Sequence, residues 1–294
     1  MSTATARRSF LHLPDGWQKE GSTGFGPFVT SELIRRGDGS VVRWESRRYR
    51  KRRDHPQGST WWAPTAIGWW IGVLFGLGSV CFALGALPGF AGAVGTRADD
   101  LTFFVGSIFF TTAAWLLYRE VVTTDPDFAG TRRGRYGVVV VQLGRIDWWA
   151  AVIQLVGTLF FNVSTGRAYF GTFTDPTSAN HAIWRPDLLG SICFLVSSWL
   201  SWAEICDGWW AWRPGQVSWW IGALNLAGSV AFGVSTVASR VQPNGDLRNI
   251  GLTNLGTFVG ALGFLAGSVL LFPERTEGPD PVAPAGGSVV PATG

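Results

Sequence analysis

Six stretches of the chain run apolar on every side, at roughly 66–89, 101–118, 148–165, 188–206, 217–238 and 250–272. Each is ~17–25 residues long, the length of helix that crosses a hydrocarbon core about 30 Å thick. Barrel strands would alternate in polarity and be half as long, so the pattern predicts six transmembrane helices. Ahead of them lie short strand-like pieces such as Ser40-Val41-Val42-Arg43-Trp44-Glu45, behind the turn signal Gly37-Asp38-Gly39. A short hairpin is expected there and no independent domain, because so few apolar residues cannot offset the entropy of ordering.

Sliding the chain against itself exposes an internal repeat. Trp69 to Gly85 aligns without a gap on Trp219 to Ser235, with nine identities in seventeen positions. The third span joins the same register, and all three odd spans read Trp-Trp-x7-Gly-[Ser/Thr]-x2-Phe-x2-[Gly/Ser] from Trp69, Trp148 and Trp219. The even spans keep the second half: Gly106-Ser107-x2-Phe110, Gly190-Ser191-x2-Phe194 and Gly260-Ala261-x2-Phe264. A unit that crosses the membrane twice and recurs three times is a set of parallel repeats.

The expected fold is therefore an all-α integral membrane protein, six transmembrane helices as three repeated two-helix hairpins, with a short basic N-terminal cytoplasmic segment. The divisions are the basic segment 1–60, hairpin 1 at 61–118, a cytoplasmic loop 119–147, hairpin 2 at 148–206, hairpin 3 at 217–272 and the tail 273–294. The tail holds five Pro and four Gly without apolar periodicity, which predicts disorder.

Small residues let helices approach closely in lipid, where no hydrophobic force drives association. Gly78, Gly106, Gly157, Gly190, Gly228 and Gly260 are thus expected at helix contacts, with Phe82, Phe161 and Phe232 filling the space beside them. The alternative, glycines along a permeation path, needs polar side chains facing the same way. Gln154 and Asn225 share one repeat position with Phe75, about 9 Å beyond the Trp pair. Exposure to lipid would leave their amides unsatisfied, so they should point inward, either bonding each other or bordering a narrow solute site. Glu204 completes this polar set as an interfacial carboxylate near Arg213.

Charge then orients the chain. Nineteen Lys and Arg fall in the N-terminal segment, the alternate loops on its side and the tail, against five in the other loops, which predicts both termini in the cytoplasm. Most of the 17 Trp fall at that same inner boundary, where an indole keeps its body apolar and its N–H satisfied. An aromatic belt is one reading and a platform for lipid or a partner is the other. Arg47, Arg48, Arg50, Lys51, Arg52 and Arg53 place six positive charges in seven residues. They are expected to contact anionic headgroups, at ~1 kcal/mol per charge. No nucleic-acid motif accompanies them, and nucleic acid is not an expected partner.

The Gly-Ser-x2-Phe signature at Gly78-Ser79, Gly106-Ser107, Gly190-Ser191 and Gly228-Ser229 resembles the YrhK-like membrane domain, a short two-helix module. The likeness covers roughly residues 60–272 and implies a hairpin architecture. That family has no assigned activity to carry over.

Only 15% of residues are charged, against about 25% in soluble domains, and the mean hydropathy is +0.19. Cys81, Cys193 and Cys206 form no metal or disulfide pattern, and His12, His55 and His181 share no ligand spacing. Neither hydrolase, P-loop nor dinucleotide motifs occur, so no enzyme and no cofactor are expected. Two readings follow. One is a structural or interaction protein of the cell (cytoplasmic) membrane, meeting lipids, a second copy or a membrane partner; the other is a small-solute channel or transporter with a path between hairpins.

Overall fold

The computed structural model describes residue 11 and residues 13–52, 59–124 and 138–276. The chain begins with a small head in which β1 (Gln18–Thr23), β2 (Ser31–Arg35) and β3 (Val41–Glu45) form an antiparallel sheet in that order. Strand β3 runs directly into α1 (Ser46–Arg52). Leu11, Ile34 and Trp44 make a small core, with Tyr49 of α1 packed against it. The protein is therefore mostly helical rather than all-α. The expected hairpin is present as β2 and β3, turning at Asp38-Gly39, whereas β1 and the small core escaped the sequence pattern because that core draws on residues scattered over about forty positions.

The helices that follow are α2 (Ile67–Gly85), α3 (Phe90–Val94), α4 (Thr96–Thr123), α5 (Ile146–Phe170), α6 (Pro176–Ala179), α7 (Arg185–Cys206), α8 (Val217–Ala238) and α9 (Ile250–Thr276), with a π-helical turn Asn180–Trp184 leading into α7. Six are long and apolar enough to cross a membrane: α2, α4, α5, α7 with its preceding turns, α8 and α9. The chain is a polytopic membrane protein. Several helices outrun the expected spans: α4 continues to Thr123, and α9 passes through Pro273 to Thr276, so the expected tail begins inside a helix. The rest of that tail and loop residues 125–137 lie outside the described residues.

The six helices close into a ring, each packed against its neighbours in the chain and α2 against α9. Leu77, Val80, Ile108, Leu159, Val230 and Leu262 are exposed on its outside, as lipid-facing side chains should be. Inside, the motif glycines meet in pairs. A Cβ added at Gly228 would lie 3.0 Å from the Gly260 carbonyl oxygen, one at Gly190 would lie 3.1 Å from the Gly157 oxygen, and one at Gly78 would lie 3.0 Å from the Gly106 oxygen. A side chain at these glycines would press on the facing backbone, so the helices approach closely there.

The repeated Trp pair has a specific structural use at the start of α2, α5 and α8. Trp69, Trp148 and Trp219 donate their indole N–H to the carbonyls of Trp61, Val140 and Ala211, eight residues earlier in each case, at 2.9, 2.8 and 2.8 Å. Trp70, Trp149 and Trp220 donate to Pro64, Leu143 and Pro214, six residues earlier, at 2.9, 3.1 and 3.0 Å. None of the three helices has a side-chain N-cap, so these indoles fold the preceding segment back onto the first turn instead. The first Trp of each pair is buried, so these three do not form a headgroup belt.

Candidate functional site

The site lies on the axis of the ring, and its parts stack from the middle of the helices toward the head. The deepest part is a cluster of six phenylalanines, one from each long helix. Phe82, Phe161 and Phe232 stand 5.9–6.4 Å apart, centroid to centroid. Phe110, Phe194 and Phe264 stand 5.5–6.1 Å apart. The two triangles interlock through Phe82–Phe110, Phe161–Phe194 and Phe232–Phe264 at 5.5, 5.0 and 5.6 Å. Ring centroids at these separations are in contact. All six are buried, and they fill the axis with aromatic carbon.

Above this layer sits a cavity of about 60 Å³. Its lining includes Gln154, Asn225 and Phe75, the three equivalents of one repeat position, together with Ser201 and Ser268. Phe264 closes it toward the phenylalanine layer and Arg47 and Lys51 of α1 lie at the head end. Ile71, Leu117, Ile221 and Leu271 make the rest of the wall, so the lining is mixed; at ~10–15 Å³ per water centre, a space of this size with several polar groups has room for a few waters. Both amides thus point inward, and they face a shared space rather than lipid.

The roof is a charge network between α1 and the helix ends. Glu120, Glu204 and Glu274 each stand fourteen residues after the glycine of their even span, on α4, α7 and α9. Fourteen residues bring a side chain about 21 Å along a helix and back to within about 40° of the glycine, so all three carboxylates turn toward the axis. Helix α1 meets them with one face, since Arg47, Arg50 and Lys51 are spaced i, i+3, i+4. Arg47 forms a two-pronged pair with Glu274 at 2.6 and 3.1 Å. Arg50 forms another with Glu204, at 3.2 Å on each prong. Lys51 donates to Glu120 at 2.6 Å.

A fourth carboxylate, Asp147, binds Arg50 and is held from the other side by Arg145 at 3.0 Å. Ser46 donates to Glu204. Four cations and four anions therefore meet here, all of them buried except Arg47, which is half-buried. Burial alone would depress the Arg50 guanidinium, yet the Glu204 and Asp147 carboxylates outweigh it and hold Arg50 above its ordinary range. It stays charged at every accessible pH.

Asp207 fastens the sheet to the same rim. It caps α7 in a left-handed conformation, φ 53°, and accepts from Thr30 at 2.7 Å, Arg43 at 3.1 Å and Arg213 at 3.0 Å. Thus Arg213 pairs with Asp207 and not with Glu204, whose partners are Arg50 and Ser46.

The polybasic segment needs the larger correction. Arg47, Arg50 and Lys51 were expected at lipid headgroups, but carboxylates of the bundle take up all three, and Arg50 and Lys51 are buried. Arg48 faces Glu45 at 3.8 Å. Arg52 ends α1, with its side chain outside the described residues, as is all of Arg53. Composition displayed the cations, whereas their partners were single acids at four separate helix ends. The signal that would have found three of them is the constant fourteen-residue interval from the motif glycine.

Among the described residues, no group of three or more His, Cys, Asp or Glu has the arrangement to hold a metal ion. No protein-family model matches the chain, and no curated protein or solved structure matches it either.

Proposed function

We propose that this polytopic protein is a non-enzymatic structural or interaction protein of the cytoplasmic membrane, built from three copies of one two-helix hairpin, with its head and both termini in the cytoplasm. The observation that carries this reading is the six-phenylalanine layer: an axis filled with interlocked aromatic rings supports a packed scaffold over a conduit. Copying of a hairpin is supported by the shared intervals of the Trp bonds and of Glu120, Glu204 and Glu274. Orientation rests on the nineteen-to-five distribution of Lys and Arg. On this reading the likeness to YrhK-like domains is one of architecture.

The surface offered to lipid or a partner is the rim beneath the head, where Trp62, Trp209, Trp210 and Trp212 are exposed. Amphipathic indoles in such a position suit a boundary between apolar and wet surroundings.

A second reading, a path for a small solute, draws support from the cavity and its two amides. It meets the phenylalanine layer as an obstacle. Flux separates the two. Purified protein in sealed liposomes should leave the efflux of trapped glycerol, urea, potassium and protons at the rate of protein-free liposomes. Protein-dependent efflux of any of these would replace the scaffold reading with the transport one.

A further inference from the structure

We propose that α1 is a displaceable cap over the cavity, moving with the β-sheet as one body between a seated and a lifted position. Three observations lead there, none of which depends on the scaffold reading.

The first concerns what α1 rests on. Arg47 and Lys51 line a void, so the helix spans an unfilled space instead of packing into a core. The second concerns what holds it. The attachments of this body are mostly polar: charge pairs from α1 to Glu120, Asp147, Glu204 and Glu274, the Ser46 bond to Glu204, and at the sheet the Thr30 and Arg43 bonds to Asp207 with one ring contact, Phe25 on Trp209. Taking such ions out of water offsets much of their attraction, so seated and hydrated arrangements of a buried network differ far less in free energy than the number of bonds suggests. The third concerns integrity. Tyr49 packs on the sheet's core, and β3 continues into α1 without a break, so α1 travels with the sheet. Lifting it takes Arg47, Arg50 and Lys51 away from four carboxylates and leaves an acidic vestibule that water must hydrate.

The test places a cysteine in the vestibule, as Asn225→Cys, in protein held in nanodiscs. A small cationic methanethiosulfonate reagent is applied, and mass spectrometry separates modification at 225 from that at Cys81, Cys193 and Cys206. The proposal expects slow but complete modification at 225, well behind an exposed Ser40→Cys control. Adding Arg47→Glu should raise the rate about tenfold by favouring the lifted state. Adding Glu274→Arg to that variant should restore the slow rate, which a merely misfolded protein would not do. No modification at 225 while the control reacts fully would make α1 a fixed lid and overturn the proposal. Equal rates in all three backgrounds would overturn it too.

Discussion

Arg47 and Glu274 join α1 to the last turn of α9 across 227 positions of sequence, through parallel bonds from Nε and Nη2 to the two carboxylate oxygens. The planar fork matters as much as the charge. Glu274→Gln leaves a largely buried guanidinium without its counter-ion and should destabilise the protein by about 3 kcal/mol. Arg47→Lys keeps the charge but gives up the two-pronged geometry and should fall between that variant and the parent. Unfolding by detergent titration in mixed micelles checks the order of the three.

The glycines divide by what stands opposite them. A Cβ at Gly228 would meet the Gly260 oxygen at 3.0 Å and the Phe264 ring at 3.1 Å, while one at Gly233, a turn and a half further along α8, meets nothing within 4 Å. Gly228→Ala should therefore cost about 1–3 kcal/mol by overpacking. Gly233→Ala should stay within about 0.5 kcal/mol of the parent. Equal effects in the same unfolding assay would mean that the close approach is not what these glycines supply.

Hydroxyl pairs tie neighbouring helices together. Ser107 on α4 meets Thr165 on α5 at 2.9 Å, and Ser191 on α7 meets Thr236 on α8 at 2.8 Å. Where α9 meets α2, the corresponding residues are Ala261 and Ala86, both buried. Both hydroxyls are absent from that seam, which avoids stranding one of them against apolar neighbours. A double-mutant cycle with Ser107→Ala and Thr165→Val should give a coupling near 0.6 kcal/mol, the usual worth of such a bond between membrane helices. A coupling of zero would mean that each hydroxyl is satisfied by its own helix backbone alone.

The helical bundle was legible because its signals are local and repeated. Runs of apolar residues mark the spans, and the Gly-Ser-x2-Phe register marks the contacts. The inward aim of Gln154 and Asn225 followed from the same register and the cost of burying an amide in lipid. The β2–β3 hairpin was legible in its turn and its strand-like residues, but the third strand and the seat of α1 were not, because they depend on pairings between distant positions. Arg50 reaches Asp147 and Glu204, 97 and 154 residues away, and a run of arginines reads alike whether its counter-ions are lipid phosphates or carboxylates. The first indole of each pair misleads for a related reason: a Trp at a membrane boundary satisfies the belt pattern even when it is buried with its N–H committed to a carbonyl eight residues back.

The central claim is that the axis is filled at the phenylalanine layer and hydrated only above it. Solid-state NMR of the protein in bilayers tests this directly, through magnetisation transfer from water to labelled side chains, with the rings assigned by single Phe→Leu substitutions. The rings of Phe82, Phe161 and Phe232 should receive no water magnetisation at mixing times that fully transfer it to the side-chain amides of Gln154 and Asn225. Water contacts at those rings as strong as at the amides would mean a wet axis, and the account of a closed scaffold would be wrong.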